Sequence, residues 1–187
     1  MKLMALPLTL DGIDESIRPK VYTQAYGEKP HIDGVQLISL KHHLSEDSDF
    51  VELFRLSDNG HMESFPSFAV RQISRSLQYP GAVKAWHLHF LQDEMWYVPT
   101  ESQLFIGLWD VRKDSPTVGS VMRIVMGKTA ASLLFIPHGI AHGSANLSNG
   151  TVPIIYCVNQ QFNPQSPDEH RIAWDAHGED FWKPKRD

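Results

Sequence analysis

Cysteine is almost absent: Cys157 is the single one in 187 residues. One thiol excludes an internal disulfide and a cysteine-based zinc knuckle. Long apolar runs are missing too. Stretches such as "SLLFIP" are far too short to cross a bilayer as a helix. The opening "MKLMALPLTLDGIDE" has neither a long apolar core nor a small-residue cleavage site, so it reads poorly as a signal peptide. Nor is positive charge in excess: 17 Lys and Arg stand against 22 Asp and Glu, a net charge of −5. That balance argues against nucleic acid or an anionic membrane as a partner. No internal repeat, low-complexity tract or linker interrupts the chain, and no stretch before residue 165 keeps a helical period between caps. These absences leave a soluble, cytoplasmic protein as the expectation.

What is present is β-structure. Short apolar or alternating runs recur, among them "GVQLISLKH", "FAVRQISRS", "VKAWHLHF", "QLFIGLWDV", "SVMRIVM", "ASLLFIP" and "VPIIYCV". Turn-rich pieces such as "SDNG", "YPG", "KDSP" and "LSNG" separate them. Such close spacing predicts an all-β antiparallel sandwich or barrel. Residues 1–31, which contain "LDGIDESIRPKVY", read as an N-terminal arm, either a short helix or a strap across a neighbouring subunit. Residues 32–187 read as one domain, whose polar tail "PDEHRIAWDAHGEDFWKPKRD" folds back onto the barrel through a few large anchors.

The chemistry concentrates in two stretches. If "VKAWHLH" is a strand, alternation puts Val83, Ala85, His87 and His89 on one face, where two inward imidazoles need partners. "FLQD" then turns, and Glu94 opens the next strand, expected beside the first. About fifty residues on, "IPHGIAHGSAN" delivers His142 behind a turn shaped by Pro137 and Gly139. His87, His89, Glu94 and His142 are therefore a candidate donor set for Mn²⁺, Fe²⁺, Ni²⁺ or Zn²⁺, with positions left open to water or substrate. Plainer readings stand beside this one. His89 could be bonded to a backbone carbonyl, Glu94 could be paired with Lys84, and Tyr156 in "VPIIYCV" could be a core residue. Lys84 lies three residues from His87, so parity sends it to the opposite face unless a bulge intervenes. His42, His43, His61, His170 and His177 read as surface or loop residues, and Trp86, Trp96 and Trp109 as packing.

Gly81, His87, His89 and Glu94 match the first motif of the cupin superfamily, with Glu101 in place of its last glycine. Pro137, Gly139, His142 and Asn146 match the second motif fully. The chain thus resembles a cupin, which implies a jelly-roll β-barrel. A narrower resemblance covers residues 32–182. The stretches "DVRKDSPTVG", "LLFIPHGIAHGSANLS", "QFNP" and "EHRIAWD", with "RQISRS" and "GAVKAWH", are similar to the dTDP-4-dehydrorhamnose 3,5-epimerase family. "DFVELF" echoes that family's opening motif without its arginine and glycine.

That second resemblance implies an isomerase acting on a nucleotide-activated 4-keto-deoxy sugar. It implies His87 as catalytic base and Tyr156 as general acid. Gln72, Lys84 and His142 would then contact substrate, with Lys84 in place of a diphosphate-holding arginine and without its bidentate fork. It further implies a sugar or nucleotide-sugar ligand, no organic cofactor, and a homodimer with exchanged arms. Departures follow. His89 replaces a glutamine, and Glu94 replaces the lysine that stabilises enolate charge. Both changes complete the metal set, and a divalent ion could polarise the carbonyl in the lysine's stead. His87 cannot be ligand and free base at once. The family's aspartate partner for the base lies in a C-terminal segment past Asp187, so Asp175 or Asp180 is the expected substitute. Two other functions stay open: a metal-dependent cupin such as a dioxygenase or small-sugar isomerase, and a non-catalytic sugar-binding cupin.

Overall fold

Alternating sequence becomes strand throughout the described residues (7–27, 29–128 and 130–185) of a computed structural model. Among them are β1 Gln36–Ser39, β2 His42–Leu44, β3 Asp49–Val51, β4 His61–Met62, β5 Phe65–Ala69, β6 Gln72–Gln78 and β7 Val83–Leu88. They continue with β8 Glu94–Tyr97, β9 Gln103–Asp110, β10 Val121–Gly127, β11 Ser132–Ile136, β12 Ile140–Ala145, β13 Val152–Val158 and β14 His170–Arg171. Two antiparallel five-stranded sheets, β1-β11-β8-β13-β6 and β10-β9-β12-β7-β14, face each other as a cupin jelly roll.

Burial sorts the side chains into three layers. Between the sheets lie Trp96, Val98, Leu104, Ile106, Leu134 and Ile154 with their neighbours. Outside the first sheet, Met95, Leu133 and Cys157 pack beneath Met62 and Phe68 of the β4–β5 hairpin. Burial pushes the Cys157 thiol up to about 12, so it serves as a small apolar filler. Outside the second sheet, Trp86 and Phe105 meet Phe181 and Trp182 of the returning tail. Gly107 makes that approach possible, because a Cβ there would lie 2.6 Å from the Phe181 ring and 2.8 Å from Trp182. Arg123 holds the tail by donating to the carbonyls of Phe181 and Lys183 and lying over the Phe105 ring.

The expected arm forms two 3₁₀ turns, Leu10–Gly12 and Arg18–Lys20, in place of an α-helix. Most of its described apolar side chains are exposed, Leu8 at 73% and Tyr26 at 89%. Residues 1–6 of the arm lie outside the described residues. Chain entry into the core is marked by Ile32, fully buried.

The run "DVRKDSPTVG" closes the β9–β10 turn as a polar knot. The buried Asp110 carboxylate accepts from Arg112 Nε and Nη2, both at 2.9 Å, from Ser115 Oγ at 2.5 Å and from Thr117 Oγ1 at 2.7 Å. Burial opposes this charge, but those donors hold the carboxyl far below its ordinary range. Arg112 also donates to the Asp33 carbonyl and packs against Gly139. The knot thereby ties the start of the domain to the turn that precedes His142.

Candidate active site

An open pocket of about 620 Å³ is lined from both sheets and from residues 160–169. Two of its lining side chains, His89 and Glu94, meet the buried His142 behind them. His89 Nε2 lies 3.1 Å from Glu94 Oε1, His142 Nε2 lies 3.4 Å from Glu94 Oε2, and the donor atoms of all three fall within 4.8 Å of one another. The convergence spans the barrel. β7 and β12 are neighbours in one sheet, while β8 belongs to the other. The expectation that Glu94 starts a strand beside β7 is therefore corrected: the chain between His89 and Glu94 crosses from sheet to sheet.

Each imidazole has one nitrogen already committed. His142 Nδ1 donates to the Ile140 carbonyl at 2.9 Å, and His89 Nδ1 donates to the Asp168 carbonyl. A carbonyl can only accept, so these contacts put a proton on each Nδ1 and turn Nε2 toward Glu94. Glu94 accepts also from Trp96 Nε1 at 2.5 Å and from Gln92 Nε2 at 2.8 Å. Burial disfavours its charge, yet His142 and His89 hold its carboxyl well below the usual carboxylate range. Burial likewise opposes charge on His89, but the hydrogen bond and charge of Glu94, with help from Asp168 and Glu169, raise its pKa to about 9. His89 and Glu94 thus favour each other's charged forms across their 3.1 Å contact. The same geometry offers a cation two Nε2 atoms and one carboxylate, a donor set that suits divalent transition metals.

His87 stands beside this group, outside it. Its ring stacks on His142 at 5.8 Å, while Nδ1 lies 2.7 Å from Glu169 Oε1 and Nε2 lies 2.6 Å from Arg171 Nη1. The expected four-donor set is corrected to three, because both nitrogens of His87 are taken up by β14 and its approach. Burial lowers the His87 pKa, aided by the charges of His142 and Arg171 and opposed by Glu169. The expected substitutes for the family aspartate are not at His87. Asp180 is exposed and bonded to Lys183 at 2.7 Å, Asp175 sits in an exposed turn, and Glu169 is the carboxylate on His87.

A β-bulge rescues Lys84. β12 sets His142 opposite His87 and Ser144 opposite Lys84, so two steps on β12 span three on β7. Lys84 and His87 therefore line the same pocket, while Val83 and Ala85 join Trp86 in the outer layer instead of sharing the His87 face. Gly143 sits at this irregularity, where a Cβ would come within 2.7 Å of the Lys84 carbonyl. Gln72 lines the pocket with its amide engaged: Oε1 accepts from Phe162 N at 3.0 Å and Nε2 donates to Ser74 at 3.1 Å. Tyr156, on β13 opposite Trp96, lines the pocket as well, and among the described residues its hydroxyl has no partner. Asn146 is architectural, donating to the Gln78 and Gly150 carbonyls at 2.8 and 2.7 Å. His170 stacks on Phe90 and His177 meets Trp109 edge-on, so these two are packing residues more than free surface.

The family model described as dTDP-4-dehydrorhamnose 3,5-epimerase matches residues 29–180. The chain belongs to that family. It is 40% identical over 144 residues to the spore coat polysaccharide biosynthesis protein SpsL of Bacillus subtilis, covering 77% of this chain and 91% of that protein. It is 30% identical over 146 residues to the probable low-salt glycan biosynthesis epimerase Agl13 of Haloferax volcanii, covering 78% and 90%. A dTDP sugar isomerase structure from Desulfovibrio desulfuricans superposes with a TM-score of 0.67 at 26% identity, covering 78% of this chain and 88% of that one.

As a member of the dTDP-4-dehydrorhamnose 3,5-epimerase family the protein is an isomerase, a sugar epimerase on a cupin jelly roll. The residues that sequence reasoning missed come from one place, Asp168 to Arg171. Asp168 accepts from the backbone N–H groups of Phe90, Leu91 and Gln92 at 2.8, 2.8 and 2.9 Å, and so pins the crossing between His89 and Glu94. The signal lay in "DEHRI", where two acids precede a short strand, but nothing local says that this strand pairs with β7.

Proposed function

We propose that this protein epimerises a nucleotide-activated 4-keto-deoxy sugar, with His87 as base and Tyr156 as acid. The supporting observation is their placement in one pocket: His87 comes from one sheet and the unpartnered Tyr156 hydroxyl from the facing one. A carbon held between them loses its proton to His87 as the C–H bond breaks and its electron pair moves into the enolate. The Tyr156 O–H returns a proton to the same carbon on the other face, and solvent restores both side chains. Such positioned acid–base pairs contribute about 10²–10⁴-fold each to rate. Lys84 is a cation placed to meet a phosphate or the developing oxyanion. Gln72 shapes the rim, and His142 fixes the plane of the His87 ring by stacking.

His89, Glu94 and His142 would hold a divalent ion of the Mn, Fe, Ni or Zn class, and such an ion supplies Lewis acidity toward a carbonyl oxygen. The fit rests on the two Nε2 atoms turned toward Glu94 by their committed Nδ1–H groups. Proton transfer beside a ketone needs no organic cofactor. The exposed apolar arm supports a homodimer in which arms cross, and a nucleotide-sugar substrate supports work in the cytoplasm. The relatives' names, in spore coat polysaccharide and glycan biosynthesis, support a sugar destined for a carbohydrate polymer. No helix of the described residues is long and apolar enough to cross a membrane.

The test is turnover of a dTDP-4-keto-6-deoxy sugar in deuterated water. Deuterium enters beside the ketone with the native protein and fails to enter with His87→Asn, and with Tyr156→Phe it fails to enter with inversion. Binding without exchange would establish the sugar-binding reading instead. Exchange that survives His87→Asn, and inversion that survives Tyr156→Phe, would remove these two residues from the chemistry.

A further inference from the structure

Two asparagines of the chain are followed by glycine, Asn59–Gly60 and Asn149–Gly150, and the structure treats them in opposite ways. That dipeptide carries a reaction of its own. The glycine nitrogen can attack the asparagine side-chain carbonyl carbon, because no Cβ shields it and the backbone there turns freely. The attack needs an N–H that is not held elsewhere, a side chain free to swing, and open space around both.

Asn59 fails the first two conditions. Gly60 N donates to the Ser57 carbonyl at 2.8 Å, and Asn59 Oδ1 accepts from Ser57 Oγ at 2.7 Å. Asn149 meets all three. It is exposed in the turn between β12 and β13, and among the described residues its side-chain amide has no hydrogen-bond partner. Gly150 N reaches only Ser148 Oγ, at 3.4 Å, too long for a firm bond. A Cβ built on Gly150 would meet no atom within 4 Å apart from its chain neighbours.

The turn is also tied to the rest of the barrel, through Asn146. Its side-chain amide donates to the Gly150 carbonyl at 2.7 Å and to the Gln78 carbonyl at 2.8 Å. Its backbone carbonyl accepts from Gly81 N at 2.9 Å, and its N–H donates to the Ala82 carbonyl at 3.0 Å. The Gly150 carbonyl is thereby linked to the end of β6 and to the start of β7, the strand of Lys84 and His87.

We propose that Asn149 is a deamidation site, at which this protein converts spontaneously as it ages. The Gly150 nitrogen gives its proton to solvent base and bonds to Asn149 Cγ. The side-chain nitrogen takes up a proton from water and leaves as ammonia, closing a five-membered succinimide. Water then adds to either ring carbonyl, and cleavage of that C–N bond leaves an aspartyl or an isoaspartyl residue at position 149. One water is consumed and one ammonia released, with no oxidant or cofactor. The isoaspartyl form lengthens the backbone by one carbon ahead of Gly150, which draws the Gly150 carbonyl off the Asn146 amide.

The test ages the native full chain in ¹⁸O-labelled water at mildly alkaline pH and maps its peptides by mass, separating aspartyl from isoaspartyl forms. Label enters at position 149 in both products, and faster as pH rises. Conversion at Asn149 outpaces that at Asn59 by at least about fivefold, the rate equivalent of the one hydrogen bond that holds Gly60 N. Gly150→Ala, which the open space accommodates, brings conversion at position 149 down to that of Asn59. The isoaspartyl fraction melts about 2–4 °C lower, the loss of one hydrogen bond in a domain of this size, and Asn149→Gln abolishes both product and shift. Equal rates at the two asparagines would overturn the proposal. So would an aspartyl product alone, since that means direct hydrolysis without the Gly150 nitrogen. An unshifted melting point in the isoaspartyl fraction would overturn the link to Asn146. Should Gly150→Ala fail to fold, the native chain still decides by its own comparison of positions 59 and 149.

Discussion

Replacing Asp110 by Asn tests whether the run "DVRKDSPTVG" serves the fold. The carboxylate is fully buried, and each of its neighbours is a donor: Arg112 twice, Ser115, Thr117 and the Arg112 backbone. An amide keeps the shape but turns one acceptor into a donor facing donors, and it leaves Arg112 without its counter-charge. Removing one partner of a buried ion pair costs about 3–5 kcal/mol. The Arg112 side chain is 27% exposed and regains some water, which argues for the lower end, about 3 kcal/mol. For a domain of this size that is roughly 6–12 °C in Tm.

The pH dependence carries a sign. The folded pKa of Asp110 is depressed from 3.8, so its contribution is present above that value and is lost as pH falls toward the folded one. The native protein should lose stability below pH 3.8 more steeply than Asp110→Asn does, and the two curves should approach each other in acid. Thermal unfolding at several pH values measures both effects. A loss below about 1 kcal/mol at neutral pH, or parallel acid limbs, would refute the claim that this carboxylate is a buried, charge-dependent tie.

Three further outcomes follow from the geometry. Purified protein should retain about one equivalent of a divalent transition ion, and Glu94→Ala should abolish retention, as elemental analysis can check. In chelator-stripped protein, the raised His89 pKa gives stability that is full below 6.5 and fades as pH rises through about 9, while depressed Glu94 gives stability that fades below 4.5; His89→Gln should erase the alkaline limb of the unfolding profile. Trp182→Ala should cost about 3–5 kcal/mol in chemical denaturation, because a ring only 2% exposed leaves a cavity among Trp86, Phe105 and Phe181.

The barrel was legible in the sequence because sheet structure writes itself locally: period-2 runs, short turns and the P-x-G turn before His142 each carry their own geometry. That His89, Glu94 and His142 meet was legible from the two cupin motifs, although the sheet that carries Glu94 was not. What failed was everything set by a partner strand. Strict alternation gave Val83 and Ala85 the wrong face because a bulge against β12 shifts the phase by one residue between Lys84 and His87. Parity alone excluded Lys84 from the pocket, and the pairing put it back.

The carboxylate on His87 shows the same limit more sharply. Residue type near the end of the chain points to Asp175 and Asp180, whereas Glu169 is selected by register, being the residue that precedes His170 opposite Leu88. Register between distant strands is decided by which buried side chains fit together, here Trp86 under Phe181 and Trp182 of the tail. The aromatic anchors on the outer face therefore do more than close the barrel. By fixing where β14 lies along β7, they determine which acid reaches His87 on the inner face. A substitution such as Trp182→Ala should then lower kcat as well as stability, even though no atom of Trp182 lines the pocket. Unchanged turnover by the folded variant would show that the backbone pairing of Trp86 with Ile172 sets the register without help from the tail.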